Sequence, residues 1–292
     1  MADTTWSDCV QGVGTLYLSR LLRFSDEYRA QYQAAFGLGA ETKKILEVGC
    51  GPGALAQSLA RWYSDAQITG VDLDAAFIRF AAQQAPHIRF LEADATALPF
   101  EEGSFDATIS NTVQEHLPPE KFFGEQRRVL QPGGVCLVLS SRRGVHLAAP
   151  CATEQSPLER EIWNRADQFF QTSGQRPVVG QYWMNERELP AAMIQAGFRQ
   201  VSASYLAVNL TPDNPETPLD RGLAMIKANR QNDLDAVDSL SRAAPGLASA
   251  QELTGMRAQI NRRYDQRIQL YRSRRPQWDT DVSLIMIVRG VK

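Results

Sequence analysis

Four polar residues stand where short apolar runs of this chain end. Glu47 lies in Ile45-Leu46-Glu47-Val48, Asp72 follows Ile68-Thr69-Gly70-Val71, Asp94 sits in Glu92-Ala93-Asp94-Ala95, and Asn111 closes the run from Phe105 to Ser110. Between the first two comes Gly49-Cys50-Gly51-Pro52-Gly53, followed by the helical pattern Ala54 to Trp62. Closely spaced glycines admit positive φ and let backbone approach a ligand. A helix opening after them offers free N–H groups and the positive end of its dipole. Such a set suits capture of a nucleotide-like or carboxylate-bearing ligand. Gly51-x-Gly53-x-x-Ala56 also satisfies the dinucleotide fingerprint, with Asp72 about twenty residues on as a ribose acid, so an NAD(P)-dependent oxidoreductase is one reading.

These residues need a scaffold that gathers strand ends along one edge. Strand patterns at 45–49, 67–71, 88–92, 105–110 and 135–140 alternate with helical patterns at 54–63, 75–85 and 119–130. That alternation predicts an α/β fold with a parallel sheet and right-handed crossovers, in which ligands bind beyond the strands' carboxyl ends. Glu47, Asp72, Asp94 and Asn111 all fall at those ends.

Two further segments, Glu115-His116-Leu117 and Arg128-Val129-Leu130-Gln131-Pro132-Gly133-Gly134, complete an ordered set. From about residue 43 to 141 the chain resembles the class I S-adenosylmethionine-dependent methyltransferases, in the type 11 branch of ubiquinone and menaquinone biosynthesis. The resemblance implies a Rossmann-like, seven-stranded, mostly parallel sheet with helices on both faces, an N-terminal helical lid, and helical insertions after strands five and six. It implies S-adenosyl-L-methionine as cofactor, its methionine part held by Glu47, Gly49, Cys50, Gly51 and Gly53. Asp72 would then hold the ribose with Leu73 beside the adenine, Asp94 and Ala95 would meet the adenine amine, and Asn111 would face the cofactor. The implied activity is transfer of a methyl group to a small-molecule acceptor by in-line displacement. A methyltransferase-like binding or regulatory protein is the remaining alternative.

With 292 residues and 43% apolar content the chain can bury a sizeable core. A formal net charge of −2 gives no overall electrostatic case for nucleic acid or an anionic membrane. Neither a bilayer-spanning apolar stretch nor a charged-then-apolar start is present, so no membrane partner is expected and a cytoplasmic protein is. Cys9, Cys50, Cys136 and Cys151 lack paired metal spacing; reduced thiols and no metal are expected. A homodimer is compatible with all of this.

The expected organisation is a helical lid at 1–40, a cofactor-binding core at 41–141, a cap insertion at 142–185, core again at 186–208, a helical insertion at 209–280, and a last strand at 281–292. Residues 6 to 36 read as helical. His116 and Glu115, just past the fourth strand, are the candidates for a general base, with a pocket-shaping role for His116 as the alternative. Tyr17, Arg20, Tyr28, Trp163, Tyr182 and Trp183 are the candidates for contacting the acceptor, and Arg23 is a second cation for a carboxylate; core packing and solvated charge are the bland readings. The helix near 256–273 carries Arg257, Arg262, Arg263, Arg267 and Arg272 beside an apolar stripe and reads as a solvated cationic face.

Overall fold

A computed structural model describes residues 6–9, 12–150, 155–173 and 180–292. The elements are α1 (Trp6–Cys9), α2 (Val13–Arg23), α3 (Arg29–Phe36), β1 (Lys44–Val48), α4 (Ala54–Trp62), β2 (Gln67–Asp72), α5 (Ala75–Gln84), β3 (Arg89–Glu92), β4 (Phe105–Asn111), α6 (Pro119–Val129) and β5 (Leu130–Ala149). Then follow α7 (Pro157–Ser173), α8 (Glu188–Gln195), β6 (Arg199–Leu210), α9 (Leu219–Ala243), α10 (Ala250–Arg272) and β7 (Thr280–Val291).

The chain forms two compact units. The first comprises Arg23–Val145, Val178–Val208 and Ser283–Lys292. Its sheet has seven strands in the order β3-β2-β1-β4-β5-β7-β6, and β1 pairs in parallel with β2 and β4, as does β2 with β3 and β4 with β5. Lys292, just past β7, exchanges backbone hydrogen bonds with Gly133 and Gly134 at the start of β5. A strand whose end meets its neighbour's beginning runs antiparallel to it, as the resemblance implied for the last strand. Arg199, opening β6, also donates to the Lys292 carbonyl at 3.3 Å, which sets β6 and β7 antiparallel as well.

Parallel strands covered on both faces must be apolar on both. In β1, Leu46 and Val48 join a core with Phe122, Phe123 and Val129 of α6 and Leu189 and Met193 of α8. Ile45 and Glu47 alternate to the opposite face and are buried too. The stop at Ala196-Gly197 is as expected: Gly197 takes φ +89°, and the Phe198 N–H returns to the Met193 carbonyl.

Residues 6–36 differ from the expected single helical run. The chain breaks at Ser25, which is extended (φ −70°, ψ 159°), because the Phe24 carbonyl accepts the Ser58 hydroxyl of α4 at 2.7 Å instead of continuing the helix ladder. After the break, Tyr32 packs against Phe24, Phe36 and Trp62, with the Trp62 ring stacked at 5.5 Å. Strand β5 runs to Ala149, nine residues past the expected 140; its buried part reaches Arg142, and Leu147 to Ala149 are exposed.

The second unit comprises Met1–Leu22, His146–Pro177 and Asn209–Val282. Its core joins Ile162 and Ala166 of α7, Ile226, Val237 and Leu240 of α9, and Met256, Ile260 and Tyr264 of α10. Ser249 and Glu252 form a reciprocal capping box at the start of α10. The solvated cationic face expected for this helix holds for Arg262 and Arg272, which are exposed, and is overturned for the other three arginines. Arg267 is fully buried between Asp213 and Asp279, Arg263 pairs with Glu159 at 2.8 Å and Asp233 at 3.0 Å, and Arg257 pairs with Asp238. Those acids come from distant segments, so helical periodicity could not place them. Among the described residues no helix is long and apolar enough to cross a membrane.

Candidate functional site

Strand β1 ends at Val48 and the chain turns through Gly49, Gly51 and Gly53, all left-handed (φ +68°, +52° and +82°). Two of these glycines have no substitute. A Cβ on Gly49 would meet Val113 Cγ2 at 2.3 Å, and one on Gly53 would meet the Ala81 Cβ at 2.9 Å and the Phe90 ring at 3.0 Å. The bend is held by the Cys50 N–H to the Val71 carbonyl (2.8 Å) and the Gly53 N–H to the Cys50 carbonyl (3.0 Å). Gly53 caps α4 without a side-chain acceptor, so the helix's first N–H groups stay available to an anionic group.

Asp72, at the end of β2, fastens this bend. One of its oxygens accepts the Gly51 N–H at 2.8 Å and the other the Asp74 N–H at 2.9 Å. Each oxygen keeps a second lone pair. Burial pushes the Asp72 carboxyl above the usual aspartate range, against the lowering effect of those two N–H groups. Leu73, beside it, is 69% exposed, an apolar side chain in a loop that leaves it uncovered. Asp94 follows β3; its Oδ1 accepts the Thr96 N–H (2.7 Å) and hydroxyl (2.8 Å), and its turn carries Ala95, which is half-buried. Burial, with the charges of Glu47 and Asp72, raises the Cys50 thiol well above its ordinary value, so Cys50 is a protonated, space-filling member of the bend.

Asn111 closes β4, and its Oδ1 is buried with no hydrogen-bond partner among the described residues. Such an acceptor costs free energy unless a ligand or water meets it. The next residue, Thr112, takes φ +54°, which a β-branched side chain rarely adopts, while its N–H bonds to the Leu139 carbonyl at 2.8 Å. Backbone strain and an unmet buried acceptor thus coincide at the carboxyl end of β4.

Past Thr112, a 3-10 turn (Gln114–His116) grips a second segment of the same unit. The Gln114 amide donates to the Tyr182 carbonyl (3.1 Å), the Tyr182 N–H to the Glu115 carbonyl (2.9 Å), and the Gly180 N–H to His116 Nδ1 (3.1 Å). From the end of β5, the buried Arg142 donates to the Met184 carbonyl at 3.1 Å and lies 5.4 Å from the Trp183 ring centre. Residues 180–184 are therefore stapled beside the carboxyl end of β4 and the part of β5 just past its pairing with β4.

Of the acceptor-site candidates, Tyr182 and Trp183 come to that edge, whereas Tyr28, of the same unit, is buried. Tyr17, Arg20 and Trp163 belong to the other unit, where Trp163 packs on the helical core. Arg23 bonds the Ser141 hydroxyl at the end of β5 (3.0 Å). Reading the sequence missed Thr112, Gln114 and Arg142. A left-handed threonine or a carbonyl-binding arginine leaves no local signature. Cys151 lies outside the described residues, as does the Cys9 side chain.

Residues 46–138 match the protein family described as methyltransferase domain. The matched stretch contains both the glycine bend and Asn111. Its glycine spacing, read alone, had admitted a dinucleotide site. Among similar proteins, demethylmenaquinone methyltransferase of Thermus thermophilus is 39% identical over 128 residues, 42% of this chain and 58% of that one. Fatty-acid O-methyltransferase of Mycolicibacterium smegmatis is 41% identical over 106 residues, 35% of this chain and 38% of that one. The chain thus spans less than two thirds of either relative. The fold of phosphoethanolamine N-methyltransferase 2 from Haemonchus contortus, solved with S-adenosyl-L-methionine, aligns with a TM-score of 0.52 at 18% identity, covering 98% of this chain and 59% of that one. At that identity the likeness is one of fold, an α/β sheet flanked by helices.

Proposed function

We propose that the protein is a class I methyltransferase that binds S-adenosyl-L-methionine at the carboxyl ends of β1, β2 and β4 and methylates a small-molecule acceptor. The single observation that carries this reading is the buried, unmet Asn111 Oδ1 on the same sheet edge as the Asp72 carboxylate and the left-handed glycine bend. In this reading the bend and the first turn of α4 receive the methionine carboxylate, Asp72 takes the ribose hydroxyls, Asp94 and Ala95 meet the adenine amine, and Leu73 covers the adenine face. When bound, the cofactor supplies a methyl group already activated by its sulfonium. The protein's part is then to align the acceptor and exclude water. Tyr182 and Trp183, held by Gln114 and Arg142, serve as one wall for the acceptor.

His116 acts here as a positioning residue. Because Nδ1 accepts the Gly180 N–H, the neutral ring carries its proton on Nε2 and offers a donor there rather than a base. The free, buried thiols of Cys50 and Cys136 suit a cytoplasmic setting.

Calorimetry with S-adenosyl-L-methionine, S-adenosylhomocysteine and NADH tests the cofactor, with binding expected for the first two alone. Incubation with methyl-labelled cofactor and a cell metabolite extract should then yield a labelled small molecule with S-adenosylhomocysteine. Cofactor binding without any labelled product would instead identify a binding protein.

A further inference from the structure

We propose that the loop joining α10 to β7 docks the protein on the surface of an anionic lipid bilayer. The loop reads Arg272-Ser273-Arg274-Arg275-Pro276-Gln277-Trp278. Upstream on α10, Arg257, Arg263 and Arg267 are all matched to carboxylates. Arg272, Arg274 and Arg275, in contrast, are exposed and make no ion pair among the described residues. Trp278 is 55% exposed, an unusual setting for the largest apolar side chain.

This exposure is built rather than incidental. Arg274 and Trp278 both hold left-handed backbone (φ +54° and +58°), a region that bulky L residues avoid and that persists only where the surroundings enforce it. The enforcement is visible. Asp213 accepts the N–H groups of Gln277 (2.8 Å) and Trp278 (2.9 Å), and is itself fixed by the buried Arg267 at 2.7 Å, which also binds Asp279. A fully buried ionic cluster thus holds an aromatic side chain outside the fold.

The same cluster brings a second apolar group to this end of the unit. Asp213 belongs to the segment leading into α9, whose first residue, Leu219, is 61% exposed. Three residues on, Gly222 packs so closely on Tyr271 of α10 that a Cβ there would lie 1.9 Å from the phenol oxygen. The first turn of α9 therefore lies beside the last turn of α10, with Leu219 and Trp278 on the segments that Asp213 ties together.

Tryptophan partitions to the lipid headgroup region, and guanidinium groups bind lipid phosphates. The exposed acids of this region, Glu216 and Asp220, offset part of the charge, so the contact needs Trp278 as well as the arginines. The exclusion of a membrane partner from sequence rested on net charge and on the lack of a spanning stretch, and a local surface patch escapes both criteria. A single exposed tryptophan, with an exposed aliphatic Leu219 on the segment tied to it, favours lipid over single-stranded nucleic acid, where successive stacking platforms would be needed.

Flotation of the full chain with vesicles tests the proposal. Binding is expected to phosphatidylcholine vesicles containing phosphatidylglycerol, weakening with salt, with little to phosphatidylcholine alone. W278A and the triple variant R272Q/R274Q/R275Q should each lower partitioning on the order of tenfold while leaving the melting temperature unchanged. In the native protein, brominated lipid should quench a tryptophan signal that W278F lacks. Any of four results overturns the proposal: no vesicle binding by the native protein, equal binding by W278A, retention by a single-stranded RNA oligonucleotide but not by vesicles, or a W278A variant that turns a native dimer into a monomer.

Discussion

The carboxylate of Asp72 accepts the N–H of Gly51 at 2.8 Å, so the end of the second strand fixes the bend that follows the first. In the proposed site this one side chain both shapes the loop that takes the methionine end of the cofactor and binds its ribose. Replacing Asp72 by Ala removes charge-assisted hydrogen bonds worth about 1.5–3 kcal/mol in total, so S-adenosyl-L-methionine affinity should fall roughly 10- to 150-fold. Calorimetry measures this, and an unchanged affinity would take Asp72 out of the site.

Gly53 combines a left-handed backbone with close approach to Ala81 and Phe90. G53A should therefore cost about 1–3 kcal/mol of stability, read from the midpoint of urea unfolding, and weaken cofactor binding as well.

The loop that carries Asp94 is anchored to α6 by Glu125 and Arg128. Glu125 accepts the Leu98 N–H at 2.7 Å, while Arg128 binds Glu125 and donates to the Leu98 and Phe100 carbonyls. The Arg128 guanidinium, with the Leu98 N–H, holds the Glu125 carboxyl below its usual range against the opposing effect of burial. A glutamate whose folded value is lowered contributes stability that is present above its unfolded value, about 4.3, and lost as pH falls through the folded value. Thermal unfolding of E125Q should accordingly show a shallower acid-side decline than the native protein, with a loss of about 1 kcal/mol near neutrality.

Arg267 is shared by two buried carboxylates, Asp213 and Asp279. R267M leaves both uncompensated and should cost on the order of 3–5 kcal/mol. Adding D213N and D279N to R267M should recover much of that loss in denaturant titrations, because no buried charge then remains.

His116 is the remaining question of chemistry. If it positions residues 180–184 rather than removing a proton, H116N, whose side-chain oxygen can accept the Gly180 N–H, should keep the native pH–rate profile once an acceptor is in hand. H116A should instead raise KM for the acceptor by loosening Tyr182. Loss of turnover together with the low-pH inflection of the profile in both variants would assign His116 as the base.

The core was legible because its signals are local. Ile45 to Gly53 announces strand, bend and helix within nine residues, and the strand-end positions of Asp72, Asp94 and Asn111 follow from counting runs. The misreadings were where one local pattern served two environments. The arginines of α10 recur as on a wetted surface, yet Arg267 meets Asp213 from 54 residues away. Helical residues before 36 looked continuous because nothing nearby shows that Ser58 captures the Phe24 carbonyl.

Sequence by itself determined the alternation of strands and helices, the glycine bend and the acids and amide at the strand ends, since backbone preference and side-chain period act over a few neighbouring residues. Tertiary structure alone decided that Asn111 keeps an unmet acceptor, that Arg142 and Gln114 staple Tyr182 and Trp183 beside it, and that three arginines and Trp278 are left outside. Burial and charge compensation depend on groups far apart in the chain, and only folding brings those groups within a hydrogen bond of one another.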